Sequence, residues 1–269
     1  MPRTPLADTL VPLSELGVDT RLGVLEGNGW IGAGRLVADE DELRAALAEI
    51  AGNLGTDRDD VCAAQLIELW TWLVAAPAAA GLVAGGRLPD VSSGNVLLRA
   101  QGGLADWRVG LRRPRFHALP DDPDARHPDA VPAADERELL GRLGAMLVNA
   151  HLAPLVASLN RLARRPERAL WRGAADRVAG AFLWIGDQLG AREHSRALAR
   201  GAVGSAPELG AKVRVQRVGS GVGETHVHLR HGCCLYYRVP GAPKCIGCPL
   251  VTDAERARRV AAEGSPSVG

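Results

Sequence analysis

The chain carries no excess of charge of either sign: 32 basic residues against 31 acidic ones leave a formal net charge of +1 and a pI near 7.7. No long-range field therefore draws it to nucleic acid or to an anionic membrane, and any partner must be recognised locally. Lysine is scarce, with only Lys212 and Lys244, and arginine supplies the other cations. Beside abundant Ala, Gly and Val, that scarcity reflects base composition and has no functional weight. The opening MPRTPLADTLVPLSELGVD lacks an apolar core behind a basic start, so no secretory signal is expected. A cytoplasmic location follows, extending to the inner face of the membrane, where thiols stay reduced and cysteine clusters bind metal rather than pair as disulfides.

Phosphate-binding signatures are missing as well. GxxxxGK[ST] does not occur, and Gly27, Gly29, Gly32 and Gly34 have neither a preceding strand nor a matching acidic position downstream. Direct binding of NAD(P)H is not expected. No repeat recurs at a fixed period. Residues 69–86 are uncharged over 18 positions, near the lower limit for a spanning helix. Pro77, Gly81, Gly85 and Gly86 interrupt that run and alanine carries much of its apolarity, so no transmembrane span is expected.

What is present suits one large core, or a main domain with a small appended module: 269 residues, 46% of them hydrophobic. Residues 1–38 show little periodicity and read as an irregular segment or short strands leading into a first helix. Asp39 and Glu42 stand at capping-box spacing before Leu43, Ala46, Leu47 and Ile50, and Gly52 closes that helix. Thr56 and Asp59 start a second apolar helix, which Pro77 is expected to end. Two β-prone runs around Gly102-Gly103 predict a hairpin, followed by a loop rich in Pro and Asp. Leucine stripes predict long helices over 134–165 and 167–189. Beyond Gly204 an alternating strand pattern leads into the cysteines, and Thr252 with Glu255 caps an Arg-rich helix. The expected fold is α+β and predominantly helical: an irregular segment (1–38), a helical domain with a short hairpin (39–203) and a C-terminal module (204–269).

Four of the five cysteines fall within the sixteen residues from Cys233 to Cys248, as Cys-Cys-x10-Cys-x2-Cys. Thiolates gathered by a loop rich in Gly and Pro select zinc, copper(I) or an iron-sulfur cluster. Cys245-x-x-Cys248 has the spacing tetrahedral zinc prefers, but Cys233-Cys234 does not, because adjacent residues of an extended chain point to opposite faces. A two-iron cluster spreads its ligands over a wider object. The spacing leans toward iron-sulfur and leaves a zinc-stabilised binding module without redox activity as the alternative.

The run RHGCCLYYRVPGAPKCIGCPL resembles the ferric-siderophore reductases of the FhuF-like family, whose signature is this cysteine spacing around a 2Fe-2S cluster. Arg230 before the pair and Tyr236-Tyr237 after it are also similar. Upstream, NAHLAPLVASLNRLA is similar to that family's His-Leu-x-Pro helix, and ALWRGAADRVAGAF to its Leu-Trp-x-x-Asn-x-Ala segment. The second segment departs from the pattern, with Ala174-Ala175-Asp176 where Asn is frequent, which bears on the substrate rather than the cluster. The resemblance implies that Cys233, Cys234, Cys245 and Cys248 ligate a 2Fe-2S cluster. It further implies one-electron reduction of a siderophore-bound ferric ion, which releases iron for cellular use. The electron then comes from a separate donor: a reductase, a ferredoxin-like protein or a small reductant. Siderophore synthetases contain a similar domain, but the missing phosphate loop and the modest length argue against a biosynthetic role.

Other residues receive smaller roles. Arg230 and Lys244 flank the cysteines and are candidates for tuning the cluster. Arg112, Arg113 and Arg115 form a cationic stretch that suits a neutral or anionic ferric complex, a candidate substrate surface. His226 and His228 share one face of the predicted strand. Trp70, Trp72, Trp171 and Trp184 read as core, His151 as a packed core histidine and Cys62 as a small buried hydrophobe.

Overall fold

The computed structural model describes residues 4–99, 107–210, 212–219 and 225–263. Its first element, α1 (Pro5–Leu10), begins where Thr4 Oγ1 accepts the Ala7 N–H at 3.2 Å, and it buries Leu6 and Leu10. Short strands β1 (Thr20–Leu22) and β2 (Trp30–Gly32) and helix α2 (Ala33–Ala38) follow. The segment expected to be irregular is thus built of pieces only three to six residues long, too short to show a period in sequence.

Helix α3 (Glu40–Leu54) starts as its sequence dictates, with Asp39 Oδ1 accepting the N–H groups of Asp41 and Glu42. It ends on Gly55 in the left-handed conformation at φ 60°, three residues beyond the expected stop. Helix α4 (Asp59–Gly85) runs straight through Pro77, which corrects the expected break. Pro77 offers no N–H to the preceding turn, a cost of about 3 kcal/mol. The whole stretch from Leu73 to Leu82 is buried, and that packing outweighs the missing bond. The apolarity that invited a membrane check has the same explanation, since 83% of the most apolar window of α4 lies inside the fold. The only other described helix of comparable length and apolarity, residues 136–163, has 56% of its window buried.

Strands β4 (Val96–Arg99) and β5 (Arg108–Leu111) pair antiparallel as predicted, and the Gly102-Gly103 tip lies outside the described residues. Strands β1 and β2 flank them in the order β1-β5-β4-β2, with β1 parallel to β5. A second small sheet joins β3 (Leu88–Pro89), β6 (Phe116–Ala118) and β7 (Ala130–Pro132). Then α5 (Glu136–Leu147) passes through a π turn at Val148–Leu152 into α6 (Ala153–Ala163). Pro154, lacking an N–H, sits just after the wide turn that accommodates it. Helices α7 (Glu167–Gln188) and α8 (Arg192–Gly204) pack together and on α4. The hairpin of β8 (Arg214–Val218) and β9 (Thr225–Leu229) and helix α9 (Asp253–Glu263) complete an α+β, mainly helical architecture.

One buried cluster runs from Leu6 to Leu209 and takes in α1 to α8. Two satellites matter for the site. Val218, Val227 and Val260 join the hairpin to α9, and Val61 with Leu235 and Val239 ties the cysteine loop to α4.

His151 is fully buried in the π turn, its Nε2 2.8 Å from the Val91 carbonyl and its Nδ1 without a partner. Burial pushes its pKa down to about 4, against the hydrogen bond to Val91, so the folded protein keeps it neutral. The unfolded chain takes up a proton below about 6.5 that the folded one refuses, so stability drops as pH falls from there toward 4. His151 is expected to account for about 3 kcal/mol of that loss. Urea unfolding at pH 7 and pH 4.5 should show a smaller difference in His151→Gln than in the parent.

Candidate metal centre

The cysteine loop begins where β9 ends, and groups from distant parts of the chain hold residues 230–234. Asp176 of α7, 3% exposed, accepts the backbone N–H of His231 at 3.0 and 2.8 Å and that of Gly232 at 2.7 Å. The same carboxylate lies 3.2 Å from His231 Nδ1 and 3.9 Å from Arg230 Nε. Glu68 of α4 is buried between two guanidinium groups, Arg177 at 3.2 Å and Arg230 in close contact. Burial opposes the Arg230 charge, but Glu68, Cys234 and Asp176 around it hold its pKa above the ordinary arginine value. The backbone carbonyls of the cysteine pair are gripped in the same way. Arg165 donates to Cys233 O at 2.9 Å, and Gln65 of α4 donates to Cys234 O at 2.7 Å.

The second pair is placed from the other side. Within the turn, the Cys248 N–H donates to Cys245 O at 3.0 Å, and Gly247 O accepts the Arg230 N–H at 3.0 Å. Gly247 is needed there, because a Cβ would stand 2.1 Å from His228 O. Arg256 of α9, only 3% exposed, donates to the carbonyls of Ile246 at 3.0 Å and Val251 at 3.2 Å. Arg259 adds a bond to Lys244 O at 2.9 Å. Helix α9 is therefore the clamp on the Cys245–Cys248 turn.

Around the sulfurs the backbone supplies donors. The Leu250 amide donates to Cys248 Sγ at 3.5 Å, and the backbone at Leu235 and Tyr236 favours the thiolate forms of Cys233 and Cys234. Amides turned toward sulfur are what a metal-binding thiolate loop requires. The sulfurs of Cys234 and Cys245 interact, and with Arg230 helping against burial, this draws the Cys234 pKa down. That of Cys245 rises. Arg165 Nε and Arg230 Nε are buried without a partner. Two orphaned guanidinium N–H groups beside four thiols fit an anionic group such as a thiolate-ligated cluster. Among the described residues, no three His, Cys, Asp or Glu side chains, the four cysteines included, converge on one point.

Cys245 also forms part of the wall of a cavity of about 480 Å³ between α4, α7, α8 and the β8-β9 hairpin. His226 and His228 line it from their shared face, and Trp72 and Trp184 line it with ring centroids 5.5 Å apart. Those two tryptophans, expected in the core, are half-buried, whereas Trp70 is fully buried. Burial pushes the His228 pKa down to about 4, so the imidazole is neutral near pH 7.

Of the other residues singled out by sequence, Arg230 is in the site and Lys244 is exposed, contributing its carbonyl. Arg112, Arg113 and Arg115 lie in the link between β5 and β6 and do not line this cavity. Arg112 pairs instead with Glu26 at 2.9 Å. The cations that line the cavity beside Cys245 come instead from α7, α8 and the residue after β9. Cys62 is buried in the main core. Glu68, Gln65, Arg165 and Arg256 were not singled out in sequence. The one available signal was a glutamine and a glutamate three residues apart in an otherwise apolar helix.

Among known proteins, residues 230–250 match the family model of the FhuF 2Fe-2S C-terminal domain. No curated protein matches the chain at a significant level. The matched segment starts at the Arg230 that Glu68 holds and ends two residues past Cys248, so it coincides with the braced thiol loop. This segment carries the signature of an FhuF-type 2Fe-2S C-terminal domain.

Proposed function

We propose that this protein reduces siderophore-bound ferric iron, with Cys233, Cys234, Cys245 and Cys248 holding the 2Fe-2S cluster. The observation that carries the reading is the position of Cys245, which belongs to the matched loop and also borders a cavity of small-molecule size. When bound, the cluster supplies electrons one at a time, at a potential set by hydrogen bonds, charge and exposure. The chain's own contribution is electrostatic. Arg230 and Arg165 are cations beside the cysteine pair, and the backbone at Leu235 and Tyr236 and the amide of Leu250 add donors; all of these favour the more negative, reduced state.

The substrate chemistry balances with one electron. Chelated Fe³⁺ takes up an electron from a separate one-electron donor and becomes Fe²⁺. The softer ferrous ion is held weakly by hard oxygen ligands, which take protons from water as it leaves. A cysteine cluster of metal-binding spacing suits a reducing, cytoplasmic setting, with the inner face of the membrane as the place where incoming chelate is met.

Anaerobic purification followed by visible and EPR spectra before and after dithionite tests the centre. Incubation of the reduced protein with a ferric chelate and a ferrous trap tests the reaction. The reading expects brown protein, an EPR signal that appears on reduction and decays when chelate is added, and trapped Fe²⁺. Colourless protein with stoichiometric zinc after anaerobic reconstitution would overturn it in favour of the zinc-stabilised module.

A further inference from the structure

We infer that the cavity beside Cys245 is the binding site for the ferric chelate, and that Arg196 and the Trp72-Trp184 pair are its recognition groups. This inference rests on the reductase reading for the identity of the ligand, while the site itself rests on geometry. At about 480 Å³ the cavity falls within the range of small-molecule sites. A second cavity of about 450 Å³ adjoins it, and the two share Gly17, Leu69 and Trp72 as walls. A ligand wider than the first cavity has room to extend past Trp72 toward Pro77 and Trp107.

The walls define the chemistry of the occupant. Leu69, Leu183, Trp72 and Trp184 give an apolar side; both tryptophans are half-buried, Arg177 lies over the Trp72 ring at 5.7 Å, and Trp184 meets Trp72 edge-on. Four arginines line the same space, and three of them already have partners. Arg177 and Arg230 share Glu68, and Arg192 pairs with Asp187 at 2.6 Å. Arg196 of α8 is different. Among the described residues it has no carboxylate partner, and it is only half-exposed at the cavity wall. The site therefore offers one unneutralised guanidinium opposite flat apolar surface. That suits a compact metal chelate with an apolar periphery and anionic oxygens, for which a guanidinium is the better-matched cation. An electron has a short way to travel, because Cys245 of the cluster loop itself lines this cavity.

The test uses the holoprotein and the gallium(III) and iron(III) complexes of a linear trihydroxamate. Gallium binds as ferric iron does but accepts no electron, so calorimetric titration reads binding apart from reduction. Arg196→Glu and Trp184→Ala are each expected to weaken gallium-chelate binding at least tenfold and to raise KM for the ferric chelate by a similar factor. Arg196→Lys should recover most of the loss. The EPR spectrum of each reduced variant should match the parent, which separates loss of binding from damage to the centre. If both variants bind and turn over as the parent does, the site is elsewhere and the inference falls while the reductase reading stands. If the parent binds neither chelate, the inference falls as well. Should the parent bind gallium chelate with the expected variant pattern yet reduce no ferric chelate, the site holds and the reductase reading fails.

Discussion

Cys245→Ser is expected to yield a folded, nearly colourless protein. The hydroxyl is a far poorer ligand for iron than a thiolate, and Cys245 makes two contacts that depend on sulfur: the interaction with Cys234 and the boundary with the cavity. The turn around it is held through backbone atoms, by Cys248 N–H to Cys245 O and by Arg256 to Ile246 O, and these survive the substitution. Iron content, visible absorbance and chelate reduction should all fall at least roughly tenfold, while the far-UV circular dichroism spectrum stays that of the parent. Cys62→Ser is the matching control. It lies in the main core, so it should cost stability and leave the visible spectrum intact. An unchanged spectrum in Cys245→Ser would remove this residue from the ligand set.

The largest loss of stability is expected at Asp176. Its buried carboxylate accepts the amides of His231 and Gly232 and faces Arg230 Nε. Asp176→Ala strands two amide donors and leaves the buried guanidinium with Glu68 alone. Breaking a buried, hydrogen-bonded charge of this kind costs about 3–5 kcal/mol. At about 2–4 °C per kcal/mol for a chain of this size, the melting temperature should drop by about 10 °C. Asp176→Asn keeps an acceptor and loses the charge, so it should fall between the two. Thermal unfolding of the three holoproteins followed by circular dichroism checks the order. An alanine variant that melts with the parent would show that the loop is not held from α7.

What could be read from the sequence follows the range of the interactions. Asp39 before α3 and Thr252 before α9 act on their own next few residues, and both caps form as their spacing dictates. The cysteine spacing is equally local, and it matched a known domain over the very residues that suggested it. Pro77 misled because its local effect is real but smaller than the burial of the helix around it. The short elements before Asp39 carried no periodicity to find. The bracing of the loop was invisible for a different reason: Glu68 and Arg230 are 162 residues apart, and His231 and Asp176 are 55 apart. The cationic run at Arg112, Arg113 and Arg115 was conspicuous in sequence, yet chain order does not say which arginines share a cavity. Asp176 itself stood out only as a departure from the pattern that the segment resembles.

The two cysteine pairs are gripped by different parts of the molecule, the first by α4, α7 and Arg165, the second by α9. A cluster bridging them would act as a staple, joining a small C-terminal helix to the helical body by bonds much stronger than the packing of Val218, Val227 and Val260 beneath it. Loss of the metal would then be felt first as slackening of α9 and only later in the core, so resistance of α9 to a protease becomes a gauge of how much of the protein is loaded.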